Sequence, residues 1–313
     1  DFLPFPDSPF PTSPICSRPK VTHPLLQNSF GTRPQLRQDD MYPEGIAAMS
    51  LAAEASTLLM GTKTGTLVLL DRNGQQLARE RGFDGIQFLT WSDVGNFGVV
   101  ALKGGRLRCV NEKLATKWEV DLTGDVIGVA LSPFGSHVAV STESSRVHIV
   151  TTDKKEIGKF ETVRPLQFLN FLYERAAIVG AAEFGHLCCH TLDGKEEWEE
   201  RIMNNVGNMV VTGDGKRILL AAFNHGVQVL NSRGKQKGSF AIDGIPDFVA
   251  VARNRRRLVA RTIEQRLSWL NFQGEVSWGG DLSPDPPQHL CVDPLGERLY
   301  VATQSGRLMQ LAW

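Results

Sequence analysis

The sequence predicts an all-β fold: a seven-bladed β-propeller of four-stranded antiparallel blades, its ring closed by an N-terminal strand. Three observations predict it. The chain repeats every 40 residues, each period holds four short strand-like segments, and a segment ahead of the first period fits the strand the last one lacks.

The period appears in three separate columns. One runs Leu67, Leu107, Val147, Leu187, Val227, Leu267 and Leu308, with five steps of 40 residues and a last step of 41. A second runs Leu58, Gly98, Val138, Ile178, Ile218, Leu258 and Leu299, and a third Leu51, Trp91, Leu131, Phe171, Val211, Val251 and Val292. Helical repeats of similar length are excluded, because no unit carries a 3.6-residue apolar stripe of useful length.

One unit shows how a period divides. Val126 to Leu131 reads as a strand, Ser132-Pro133-Phe134-Gly135 as a turn, and a second strand starts at His137. A third follows Glu143-Ser144-Ser145, and a fourth follows Asp153-Lys154. Second strands such as Ile218-Leu219-Leu220-Ala221 and Leu299-Tyr300-Val301-Ala302 are apolar at every position. A half-exposed strand would be polar at alternate positions, so neighbouring blades must cover both faces. No blade is stable alone, and the array must close.

The ends indicate how it closes. The seventh unit stops at Trp313, after its third strand. Gly45-Ile46 lies one period before Gly85-Ile86, so Gln35 to Tyr42 falls where an outer strand belongs. Residues 35–45 are therefore assigned as the closing strand of the last blade, and 35–313 as the propeller domain. The one extra residue of the last period falls in the Pro-rich connection 279–288. Residues 1–34 hold eight of the 16 prolines and read as an extended arm or linker.

Bulk properties narrow the function classes. Lys plus Arg number 34 and Asp plus Glu 34, for a formal net charge of zero. Such a chain has no global attraction to nucleic acid or anionic lipid, and neither is expected as a partner. No apolar run approaches the roughly 18–20 residues that span a bilayer. Cys16, Cys109, Cys188, Cys189 and Cys291 lack zinc or disulfide spacing, and their odd number suits a reducing, cytoplasmic setting. The chain begins at Asp1, with the expectation of a removed leader or of a piece of a larger multidomain protein. A monomeric ring is expected.

The turns into the fourth strands carry a family resemblance. Leu192-Asp193-Gly194-Lys195-Glu196-Glu197-Trp198 and Asn271-Phe272-Gln273-Gly274-Glu275-Val276-Ser277-Trp278 resemble the D-x-x-G-K-x-x-W element of PQQ-like propeller repeats, and Trp118 occupies the same column. The resemblance implies that Trp118, Trp198 and Trp278 dock between adjacent blades. The same column holds Ala78, Gly158 and Gly238 in the alternate blades, so docking is incomplete. Quinoprotein dehydrogenases of that family are longer, and the loops bearing their calcium ligands and catalytic Asp have no counterpart here. Ser132-Pro133-Phe134-Gly135 and Asp293-Pro294-Leu295-Gly296-Glu297 are similar to the S-P-D-G turn of WD40 repeats, but the Trp-Asp and Gly-His pairs are missing.

Second-to-third connections are minimal, as in Lys63-Thr64-Gly65 and Gln304-Ser305-Gly306, whereas catalytic groups usually sit on longer loops. His23, His137, His148, His186, His190, His225 and His289 fall singly, and His186 and His190 stand about 13 Å apart along one strand. No Gly-x-Ser-x-Gly elbow, P-loop or dinucleotide fingerprint occurs. No catalytic residue, cofactor or metal is assigned. The run Arg253, Arg255, Arg256, Arg257 reads as a solvated hairpin tip on the face away from the expected binding side, or as a contact for an acidic partner or phosphate.

The fourth-to-first connections are the candidate site. They carry Asp84, Asp125, Arg164, Asn205, Asp247 and Asp285 around one channel mouth. Such carboxylates would bind a cation or basic peptide, or serve only as turn formers. The resulting expectation is a non-catalytic scaffold that binds a protein partner through this face. The alternative is a small-molecule or sugar-processing propeller enzyme with an acidic channel mouth.

Overall fold

The computed structural model describes residues 23–254 and 256–313; residues 1–22 of the proline-rich arm, and Arg255, lie outside the described residues. Seven antiparallel sheets form the ring. Blades one to six span residues 46–80, 86–121, 126–161, 168–201, 206–240 and 246–281, and blade seven spans 287–312. The described residues include a single 3-10 turn, Pro24–Leu26. Among them no helix is long and apolar enough to cross a membrane.

The burial of each strand follows its radial position. The second strands Leu58–Thr62 and Ala177–Ala181 are buried at every residue. The outermost strand Gln76–Glu80 is largely exposed. Between blades one and two, Leu59, Leu67 and Leu69 meet Trp91, Val100 and Val110 in one apolar cluster. Comparable clusters lie between the other blades, so the core is a set of interblade layers.

Closure occurs through the N-terminal strand. Gln35–Met41 pairs antiparallel with Arg307–Ala312, from Gln35 opposite Ala312 to Met41 opposite Arg307. The Arg307 Nη1 donates to both Asp39 carboxylate oxygens, at 2.6 and 2.8 Å. Blade seven also joins blade one, because Arg298 and Gln310 both donate to the Arg72 carbonyl, at 2.8 and 2.9 Å. The arm itself also supplies a strand. Ser29–Gly31 pairs with Val276–Asp281, which makes blade six five-stranded.

The tryptophans of the outer strands bridge blades. Trp118 of blade two donates its indole N–H to the Thr152 carbonyl of blade three at 2.6 Å. Trp198 of blade four reaches the Ser232 carbonyl of blade five at 3.1 Å. Trp278 of blade six is fully buried, packs edge-on against Trp313 at 5.5 Å between centroids, and leaves its N–H without a partner. Blade seven takes its outer strand from Gln35–Met41, so it has no third-to-fourth turn to supply a carbonyl there.

Leu220 is fully buried in the layer between blades four and five. Leu220→Ala is expected to cost about 2–5 kcal/mol, through lost burial and an unfilled cavity. Because every blade depends on its neighbours, urea unfolding followed by circular dichroism should keep a single transition at a lower midpoint.

Candidate functional site

The fourth-to-first connections do project from one face, but their side chains have different surroundings. Asp84, Asp125, Arg164 and Asn205 are exposed. Asp247 lies not on a connection but within the first strand of blade six, Pro246–Val251, where it is half-buried and receives a two-pronged contact from Arg261, Nε to Oδ1 at 3.0 Å and Nη2 to Oδ2 at 2.8 Å. Arg261 also donates to the Pro287 and Gln288 carbonyls, at 3.1 and 2.7 Å, tying blade six to blade seven. Burial first, then the charges of Arg261 and Lys63, push the nearby His289 down to about 4. Asp285 accepts from the Thr303 and Ser305 hydroxyls, each at 2.6 Å, and from the Ser305 N–H at 2.9 Å. Burial would raise its carboxyl, but these hydrogen bonds outweigh it and hold the group below the usual range. Among the described residues, no hydrogen bond or ion pair joins two of the six.

This face also carries exposed apolar side chains. Val163 is 81% exposed, Phe184 55% and Met203 98%. Val163 stands between blades three and four, Phe184 between the second and third strands of blade four, and Met203 between blades four and five. Arg164 lies over the Phe184 ring at 5.5 Å from its centroid. Phe184, Arg201, Met203, Asn205 and Asn224 line a common open groove of about 760 Å³. The sequence held a signal for this patch, because Val163 and Met203 share a column that carries Asp243 in a later blade. An apolar residue in a turn column has no backbone reason to be there.

Arg253 reaches across the opposite channel mouth. The channel encloses about 460 Å³ and draws its lining from all seven blades. From blade six, the Arg253 guanidinium crosses the opening, with Nη2 at 3.0 Å from Glu54 of blade one and Nη1 at 3.6 Å from Asp93 of blade two. It lies 4.6 Å from the ring centroid of Tyr173 in blade four. Gly213 of blade five is needed here, since any Cβ would collide with Arg253. Arg253 therefore departs from the solvated hairpin tip expected of its cluster. Sequence spacing did not reveal this, because its partners come from blades distant in the chain.

The buried histidines and cysteines have structural surroundings. His190 stacks on Phe160 with centroids 3.7 Å apart, and burial lowers its pKa. Burial pushes the Cys188 and Cys189 thiols up to about 12. Among the described residues, no group of three or more His, Cys, Asp or Glu side chains could hold a metal ion.

Asp93 gives the stability of the ring a pH dependence. Burial raises its carboxyl from 3.8 to about 6, against a lowering by the Ala53 N–H bond and Arg253. The folded ring thus holds this proton more tightly than the unfolded chain does. The stabilisation is complete below about pH 3.8 and is lost as pH rises through about 6. Asp93→Asn should shrink the loss of stability between pH 4 and pH 8 by on the order of 3 kcal/mol, read from denaturant midpoints. An unchanged pH profile would show that Asp93 does not titrate as described.

No protein-family model matches the chain, and no curated protein matches it.

Proposed function

We propose that the ring is a non-catalytic binding scaffold that engages a protein partner through the face of the fourth-to-first connections. The observation that carries this reading is that exposed Phe184 and Met203 share one open groove, with exposed Val163 preceding Arg164 on the same face. Exposed apolar side chains rimmed by polar ones are a feature of protein-interaction sites. Arg164 and Arg201 flank these side chains, and Asn205 and Asn224 supply amides beside them. A partner segment with apolar side chains next to carboxylates has the matching chemistry. Arg164 and Asn205 thus belong to the binding surface, while Asp247 and Asp285 act within the ring.

The resemblance to PQQ-like and WD40-like repeats supports the same reading at the level of the repeat element, since the matching residues are turn and docking positions. A small-molecule or sugar-processing enzyme has less support, because two of its mouth carboxylates are already held by Arg261, Thr303 and Ser305. The four described cysteines are free thiols, in keeping with a reducing, cytoplasmic setting.

The test places a photo-crosslinking residue at position 203, with position 134 on the opposite face as control. Phe134 is 63% exposed, so both positions are accessible. Cross-linking in the source cells should give one dominant protein adduct from position 203. Phe184→Glu should weaken binding of that protein by about tenfold or more, with folding stability unchanged within about 0.5 kcal/mol. Equal adducts from both positions, or none from position 203, would contradict the proposal.

A further inference from the structure

The blades meet at seven equivalent outer slots, and six of them are filled or closed. Trp118 and Trp198 fill two, each donating to the carbonyl 34 residues further along. Between blades one and two, where the column holds Ala78, the fully buried Leu114 enters from the facing turn. Between blades three and four the column holds Gly158, and the backbones close up until any Cβ there would strike the Leu192 carbonyl. Trp278 against Trp313 fills the slot between blades six and seven. Gln38 of the closing strand packs onto Gly74 where blade seven meets blade one.

The slot between blades five and six differs. Its column residue is Gly238, paired with Val229 as Trp198 is paired with Cys189 and Trp118 with Cys109. A Cβ added at Gly238 would find no atom within 4 Å. The backbones have not closed up here, because Phe240 stands between the blades. A Cβ at Gly274 of blade six would lie 3.1 Å from its ring, and Phe240 meets Phe272 edge-on at 5.8 Å. In the neighbouring slot the matching glycine, Gly234, faces Trp198 and Glu200 together. What remains beside Gly238 is an open groove of about 520 Å³, walled by Val229, Phe240 and Phe272 and edged by Arg217 and Lys237.

We infer that this groove is a recognition site for a tryptophan side chain beside an acidic residue, presented by a partner protein. The groove has the register of a slot that holds an indole three times elsewhere in the same ring, twice with its N–H on the carbonyl 34 residues further along. The carbonyl 34 residues beyond Gly238 belongs to Phe272, which lines the groove, and among the described residues it accepts no hydrogen bond. An indole seated there finds apolar walls for its ring and an acceptor for its N–H. Arg217 and Lys237 have no carboxylate partner among the described residues, so the rim favours an acidic neighbour. Two of the three tryptophans seated in these slots are followed by glutamate, Trp118-Glu119 and Trp198-Glu199, and the third, Trp278, by Gly279.

The probe is a capped peptide with the sequence of residues 116–121, Thr-Lys-Trp-Glu-Val-Asp, titrated into the whole chain by calorimetry. It should bind with Kd below about 1 mM, and its Trp→Ala version should bind about tenfold more weakly or not at all. Gly238→Trp fills the slot from within. It should raise Tm by about 2–4 °C and abolish peptide binding. Lys237→Glu, on an exposed strand where folding is insensitive, should weaken binding about threefold or more. Lys237→Glu decides the matter if the tryptophan variant fails to fold. The inference is overturned if the Trp and Ala peptides bind alike, if folded Gly238→Trp binds as the parent does, or if Lys237→Glu changes nothing. N-acetyl-tryptophanamide binding as tightly as the peptide would make the groove a small-molecule pocket and overturn the assignment to a protein partner.

Discussion

A blade of this protein has two apolar faces and can cover neither by itself. The second and third strands are buried almost throughout, so each sheet is stable only between two others. An open row of such sheets would expose one apolar face at each end, and bending the row into a ring removes both ends. The hydrogen-bonded union of Gln35–Met41 with Arg307–Ala312 is thus the interaction on which the other layers depend. It joins distant parts of the chain within a single sheet, so that blade seven cannot leave the ring without breaking a strand ladder.

Once the faces are fixed, the repeat turns every local deviation into a feature of an interface. Replacing tryptophan in the outer column has three outcomes. A larger residue from the facing turn compensates at Leu114, the backbones close at Gly158, and neither happens at Gly238, where Phe240 props the blades apart. The same logic applies to the channel. Its lining strands leave a central opening that no single blade can span, and Arg253 spans one mouth by reaching carboxylates of blades one and two and the ring of Tyr173 in blade four. The opposite mouth stays polar and exposed at Asp84, Asp125, Arg164 and Asn205, with apolar side chains projecting beside it.

The fold was legible because the repeat writes it seven times. Apolar columns 40 residues apart specify the blades, and the missing outer strand of the last unit points to Gln35–Met41 as its replacement. The strand Ser29–Gly31 was not legible, since three residues between prolines carry no alternation to read. The candidate site was legible in position but not in chemistry. Spacing places Asp247 and Asp285 on the right face, but their partners Arg261, Thr303 and Ser305 depend on the register of neighbouring strands. The role of Arg253 was hidden for a related reason, because a side chain that crosses the ring contacts residues about 80 and 160–200 positions away. A period of 40 says nothing about contacts across the axis.

Native-state hydrogen exchange measured strand by strand tests the central claim most directly. If ring closure holds every blade in place, amides of Gln35–Met41 should exchange as slowly as those of Arg217–Ala222 in blade five, both through global unfolding. Exchange of Gln35–Met41 by local fraying, with blades one to six still fully protected, would show that the ring does not depend on its closing strand.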